Sequence, residues 1–267
     1  MNEIDYLLEY LLTERGKTIM EIPDDFNDKF NMYRALVNTR QPHNISKEYL
    51  DYENIMLQEV LNTRKVIYDS EIEALDYTHP DTWIENSDRI ALLQADITTL
   101  EVDAIVNAAN SQGLGCFHPC HNCIDNQIHT YAGVALRLEC KEHMERINYN
   151  LPTSHAFTTN AYNLPSDYVI HTVGPIIQSQ LTPRDEQLLA KTYINSLDEA
   201  VVHDIKCVAF PSISTGVFSF PKDAASKIVL GVVDEYLKRH DELEKVILTV
   251  YSEEDWNTYD GFIKDCG

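Results

Sequence analysis

Lysine and arginine are scarce in this chain. There are 21 of them against 43 aspartates and glutamates, a formal net charge of −22 with histidine neutral. A non-specific grip on nucleic-acid phosphates needs clustered basic side chains, so a nucleic-acid-binding module is disfavoured. Anionic membrane surfaces are disfavoured for the same reason. No apolar run approaches the roughly 20 residues of a membrane-spanning helix. The opening segment, MNEIDYLLEYLLTERG, has no basic stretch before its apolar residues and does not read as a secretory signal. Internal repeats and low-complexity stretches are absent, and nothing sets an oligomeric state. The expectation is a soluble cytoplasmic protein that binds neither nucleic acid nor membrane. In that compartment thiols stay reduced and free to hold metal. Cysteine itself is limited to six residues, yet Cys116, Cys120 and Cys123 crowd one short segment.

Apolar residues make up 44% of the chain, enough for a substantial core. Residues 1–75 read as a small helical extension. Ile4, Leu7, Leu8, Leu11 and Leu12 recur at helical spacing, as do Phe26, Phe30, Met32 and Leu36. Ser46 is placed to cap a third helix carrying Tyr49 and Tyr52. This unit is expected to pack as a cap on the main domain, residues 76–267. There, short apolar strands (RIALLQADI, AIVNAAN, HAFTTNAY, YVIHTVGP, CVAFPSIS, KVILTVYS) alternate with helical stretches. Pro221 suits the first turn of one such helix, where a missing N–H costs little. The alternation predicts an α/β sandwich around a central sheet. Ligands bind such sheets beyond the strand ends, where loops meet helix N-termini.

Two loops stand out. One runs from Asn107 to Gly133 after the strand Ala104–Val106, and the other, PSISTGVFSFP, follows Cys207–Phe210. Small residues and glycine just before a helix allow backbone N–H groups to converge on an anion, aided by the helix dipole. A protein this acidic would hold an anionic ligand with main-chain donors rather than with lysines.

The segments ADITTLEVDAIVNAAN, HTVGP and PSISTGVFSFP together resemble the macrodomain, an ADP-ribose-binding module, over about residues 85–265. The resemblance implies a three-layer α/β/α sandwich with a mixed central sheet behind the helical extension. It implies that Asp96 accepts a hydrogen bond from the adenine amino group and that Ile97 adds a backbone contact. Asn110 is expected near the distal ribose. Ser214, Thr215, Gly216, Val217 and Phe218, with the first loop, are expected to wrap the diphosphate and that ribose.

The first loop departs from the plain glycine run of most macrodomains. It reads GLGCFHPCHNCIDNQIHTYAG and looks like the zinc-dependent macrodomain branch, whose members carry an N-terminal extension and act as ADP-ribosylhydrolases. Cys116, Phe117, Pro119, His121, Cys123, Ile124, Asp125, Asn126, Ile128, His129, Ala132 and Gly133 fit that pattern. Zinc takes thiolates and imidazoles in tetrahedral geometry, with three protein ligands and an open position in catalytic sites and four in structural ones. The candidates are Cys116, His118, Cys120, His121 and Cys123. His121 and Cys123 lie two apart and project to one side of an extended loop, and Cys116 closes the ring. Cys116, His121 and Cys123 are the expected Zn2+ ligands. A closed site that adds Cys120, or no metal, are the alternatives.

The implied reaction is removal of mono-ADP-ribose from a modified protein side chain, with chemistry like glycoside hydrolysis. Zinc would lower the pKa of a water or ribose hydroxyl from about 15.7 towards about 7. Asp125 would orient that water or take its proton, and Phe218 would cover the ribose. The alternative is a reader that binds ADP-ribose without cleaving it, with zinc as a staple. Asp125 also reads as a helix N-cap. His129 reads as the start of the next helix, packing or orienting Asp125. His171 reads as a structural strand-end residue, and Cys140, Cys207 and Cys266 receive no role.

Overall fold

The structure is a computed structural model that describes residues 2–16 and 21–264. Cys266 lies outside the described residues.

The N-terminal unit consists of α1 (Glu3–Glu14), α2 (Phe26–Asn38) and α3 (Lys47–Asn62). Ile4, Leu7, Leu8 and Leu11 are fully buried against Tyr33, Tyr49 and Met56. The α1 spacing is as expected, but α2 turns differently. Phe26 is exposed and Tyr33 enters the core instead, because the aligned stripe of α2 runs through Tyr33, Leu36 and Val37. Ser46 caps α3 by accepting the Tyr49 N–H at 3.1 Å. Asp25 caps α2 in the same way, from the N–H groups of Asn27 and Asp28.

The elements that follow are β1 (Ile67–Tyr68), α4 (Leu75–Thr78), β2 (Ile90–Gln94), β3 (Leu100–Glu101), β4 (Ala104–Ala108), α5 (Ile124–Ala132), α6 (Val134–Arg146), β5 (Ala156–Asn160), β6 (Tyr168–Thr172), α7 (Pro183–Val202), β7 (Cys207–Phe210), α8 (Lys222–Leu237), β8 (Lys245–Val250) and α9 (Glu253–Lys264). Strands β1 and β3 form a small parallel pair. The main sheet has the order β2-β8-β7-β4-β6-β5. All its pairs are parallel except β5 with β6. One face packs on α7, α8 and α9 through a core that includes Val106, Leu197, Phe210 and Val229. The other face packs on α5 and α6 through Ile105, Ile128, Leu136 and Val169. This is the expected α/β/α sandwich with a mixed sheet and preceding helices. Pro221 is the residue before α8 rather than inside its first turn. No described helix is long and apolar enough to cross a membrane.

The helical unit docks on α5 and α6, and Val134 completes its apolar core. At that seam Gly133 adopts φ 90°, and a Cβ there would stand 2.6 Å from Glu53 Oε2. Only glycine leaves room for the carboxylate, which accepts the Val134 N–H at 2.9 Å. Glu53 Oε1 accepts the Tyr33 and Tyr49 hydroxyls at 2.6 and 3.2 Å.

Candidate active site

Strands β4 and β7 are parallel neighbours in the middle of the sheet. The loops after them, residues 109–123 and 211–221, therefore leave the same end of the sheet, where open α/β sheets bind ligands.

Alternation along β4 places Ile105 and Asn107 on the face covered by α5 and α6. Asn107 is fully buried. Its Nδ2 donates to Asp125 Oδ1 at 2.8 Å. The Nδ2 of Asn110 donates to Asp125 Oδ2 at 3.2 Å and to the carbonyl of Gly115 at 3.1 Å. Both carboxylate oxygens are thus held by amides from one strand end. Asp125 is 4% exposed. Burial raises its pKa to about 6, opposed by the Asn107 bond, the Arg137 charge and the Asn110 bond.

Asp125 is not a helix cap. The residue before the helix is Cys123, and Asp125 sits inside the first turn of α5, where helix-dipole attraction favours a negative group. The same shift corrects His129, which lies in the second half of α5 rather than at a helix start. Its Nε2 is 3.6 Å from Asp125 Oδ1. Burial, Arg137 and His171 hold its pKa well below the ordinary value, so the pair is no ion pair at neutral pH. The ring instead floors the loop. A Cβ at Gly115, where φ is 84°, would stand 2.7 Å from it.

His171 is fully buried in β6, as a structural residue. The β4–β6 register sets it opposite Asn107, and its Nδ1 is 3.1 Å from Asn107 Nδ2. Burial lowers its pKa to about 3. Cys140, a residue with no role expected from the sequence, joins His129 and His171 in a buried group with donor atoms within 4.8 Å of one another.

The donor atoms of Cys116, His121 and Cys123 also lie within 4.8 Å of one another, with Cys116 Sγ 3.7 Å from His121 Nδ1. Around tetrahedral zinc, with bonds of about 2.0–2.3 Å, ligand atoms sit roughly 3.4–3.8 Å apart. The donor set suits the ion, and the Cys116–His121 separation falls in that range. Burial pushes the Cys123 thiol up to about 12, with Asp125 and Cys116 adding to the effect. The thiol therefore stays protonated here unless a bound cation offsets the charge of its thiolate. Cys120 turns away, with φ 53° and its Sγ 3.4 Å from the carbonyl of Asn31. His118 contributes its carbonyl, which accepts from Asn126 Nδ2 at 2.9 Å, and its ring stands outside the cluster.

In the second loop Ser214 has φ 68° and is 6% exposed. Its carbonyl accepts the Phe220 N–H at 2.9 Å. Its Oγ has no hydrogen-bond partner among the described residues. A Cβ at Gly174 would stand 2.1 Å from that Oγ. Thr215 Oγ1 donates to the carbonyl of Ser212 at 3.0 Å. Gly216 and Val217 are exposed at the loop tip, and Phe218 is half-buried. Its carbonyl accepts the Ile177 N–H at 2.9 Å.

Asp96 follows β2. Its Oδ1 accepts the Thr98 N–H at 3.0 Å, and its Oδ2 takes Arg64 Nη2 at 2.7 Å. The Arg64 guanidinium also lies over the Tyr131 ring, 4.0 Å from its centroid. Ile97 is buried beside it. Sequence reasoning missed Arg64, Asn107, Arg137 and Asn38. For Asn107 there was a signal, a polar residue within the apolar run AIVNA; the others touch the site only through tertiary contacts.

The macro domain family profile matches residues 106–229. A protein of Treponema medium named protein-ADP-ribose hydrolase is 43% identical over 255 residues, 95% of either chain. A solved macrodomain of Oceanobacillus iheyensis with ADP is 35% identical, with TM-score 0.59, over 66% of this chain and 90% of that one. A Trypanosoma brucei macrodomain in complex with ADP-ribose is 25% identical, with TM-score 0.65, over 85% of this chain and 94% of that one.

Proposed function

This chain belongs to the macrodomain family, and from its site we propose that it is a protein-ADP-ribose hydrolase. It removes mono-ADP-ribose from modified protein side chains, with zinc held by Cys116, His121 and Cys123. The observation that carries the reading is the placement of Asp125. Both its oxygens are held by amides of the β4 end, two residues after a thiol of a three-donor cluster. The hydrolase name of a relative similar along nearly the whole chain supports the activity.

In this reading the two loops bind the diphosphate through main-chain N–H groups, and Asp96, Ile97 and Arg64 flank the adenosine end. Asn110 and Phe218 fix the distal ribose. Positioning of this kind supplies much of an enzyme's rate. At a site of two thiolates and one imidazole, zinc supplies Lewis-acid polarisation of an oxygen. Asp125 orients the attacking water and takes its proton as the sugar–protein bond breaks. Asn107 and Asn110 hold the two carboxylate oxygens, one each.

A reader with a closed structural metal site would need Cys120 in the cluster, and its thiol is directed to Asn31 instead. The test is release of ADP-ribose from a mono-ADP-ribosylated protein, with and without a zinc chelator, by wild type, Asp125→Ala and Cys123→Ala. Release that is lost in all three perturbed cases supports the reading. Release that survives chelation and both substitutions overturns the mechanism. ADP-ribose binding without any release selects the reader.

A further inference from the structure

The segment from Cys116 to Cys123 has no helix or strand of its own. Three donors on such a loop meet only if something fixes its path, since ordering each free residue costs about 1–2 kcal/mol of backbone entropy. Contacts within the loop are few. The His121 N–H reaches the carbonyl of His118 at 3.3 Å, closing one turn. The remaining restraints come from outside, from α2 through Asn38 and Asn31 and from α5 through Asn126.

Asn38, the last residue of α2, is 1% exposed although polar. Its Oδ1 accepts the Cys120 N–H at 3.0 Å. Its Nδ2 donates to Thr130 Oγ1 at 3.0 Å. Thr130 Oγ1 donates to the carbonyl of Asn126 at 2.8 Å, and Asn126 Nδ2 donates to the carbonyl of His118 at 2.9 Å. One side chain of the helical unit thus reaches the loop directly at Cys120 and, through α5, at His118. These positions bracket the turn that aims His121 at Cys116. Cys120 holds a left-handed φ of 53°, a conformation that costs a non-glycine residue about 1 kcal/mol or more and that its bonded N–H offsets. Arg137 completes the clamp. Its Nε donates to the carbonyl of Leu114 at 2.7 Å, and its Nη1 to the carbonyls of Val37 and Arg40, each at 2.7 Å. Its guanidinium covers the Phe117 ring at 4.6 Å.

We infer that the N-terminal helical unit is a working part of the metal site, and that Asn38 is the positioning residue through which α2 sets the cysteine loop. The unit does more than cover apolar surface. It preorganises three ligands that would otherwise be spread over a mobile segment. This rests on the proposed zinc site, and it assigns to the extension a role in metal affinity that a plain cap would lack.

The test is metal binding by the full chain, read by titration with Co2+. Thiolate charge-transfer and tetrahedral d–d absorption report ligand identity and geometry, and competition with Zn2+ gives affinity. The variants are Asn38→Ala, Thr130→Val and, as a control, Gln58→Ala. Gln58 donates to the carbonyl of Asn163 at 3.1 Å across the same seam and touches no part of the loop. Loss of such supporting partners costs about 10–100-fold in metal affinity. Asn38→Ala and Thr130→Val are expected to weaken binding by up to about tenfold, the low end of that range because neither bonds a ligand directly, and to distort the d–d bands. Their double variant should cost less than the product of the two, since they act in one chain of bonds. Gln58→Ala should bind as wild type does. Thr130→Val removes one hydroxyl at nearly constant volume, so it serves if Asn38→Ala fails to fold. Wild-type affinity and spectrum in either variant would overturn the inference while leaving the metal site standing. A wild-type protein that binds neither ion would remove the metal site and this inference together.

Discussion

Asn107 Nδ2 stands 2.8 Å from Asp125 Oδ1, across the interface between a central strand and the helix above it. The amide is fully buried and holds that carboxylate oxygen from the strand side. Asn110 fixes the other oxygen from the loop side at 3.2 Å. A hydrogen bond to a charged group contributes about 1.5–3 kcal/mol, and each 1.4 kcal/mol is tenfold in rate. Asn107→Ala should therefore lower the rate of ADP-ribose release by about 10–100-fold. Affinity for free ADP-ribose should change little, because the amide faces the carboxylate rather than the cleft. Parallel kinetics and calorimetry measure both, and an unchanged rate would contradict the role given to Asp125.

Gly174 tests the second loop. A Cβ there would meet Ser214 Oγ at 2.1 Å and Ile213 Cγ2 at 2.6 Å. Ser214 Oγ, unpartnered among the described residues, can turn about χ1, but the methyl of buried Ile213 has to shift within a packed core. Gly174→Ala should cost about 1–3 kcal/mol of stability, the usual range for overpacking. It should weaken ADP-ribose binding, while leaving Co2+ binding at the other loop unchanged. Chemical denaturation and calorimetry check these three outcomes.

Cys120 separates a three-ligand site from a four-ligand one. With its Sγ directed to the carbonyl of Asn31, Cys120→Ser should keep metal stoichiometry and affinity, because the serine hydroxyl donates to the same carbonyl. Cys123→Ser should lose both. Equal losses in the two variants would return Cys120 to the ligand set.

Glu53 gives the seam a pH dependence. Burial raises its pKa to about 7 in the folded protein, opposed by hydrogen bonds from Tyr33, Val134 and Tyr49. An exposed glutamate in the unfolded chain titrates near 4.3. Between these values the folded state holds a proton that the unfolded state has released. The group's contribution is therefore fully present below about pH 4.3 and is lost as pH rises through about 7. Wild type minus Glu53→Gln cancels the other titrating groups. That difference in unfolding free energy should fall by about 3 kcal/mol between pH 4 and pH 8. Urea unfolding across that range measures it, and a flat difference would contradict the burial of the carboxylate.

Much of the fold is legible along the chain. The α1 stripe, the Ser46 cap and the strands around Ala104–Ala108 and Tyr168–Thr172 all follow from local periodicity and capping. So does the grouping of Cys116, His121 and Cys123, because ligands close in sequence can meet on one loop. The boundaries were less legible. The start of α5 falls at Ile124, with Cys123 of the three-donor cluster as the residue before the helix and Asp125 inside its first turn.

By itself, then, the sequence determined the alternation of elements, the acidic surface and the supply of thiols in one place, since each of these is a property of neighbours in the chain. Only the tertiary structure decided how Asp125 is held, why Arg64 meets Asp96, and how Asn38 grips a loop 82 residues away. Those pairings arise because β4 lies against α5 and α2 lies against the loop. A buried polar atom must find its partner wherever packing brings one, and local spacing carries no record of that.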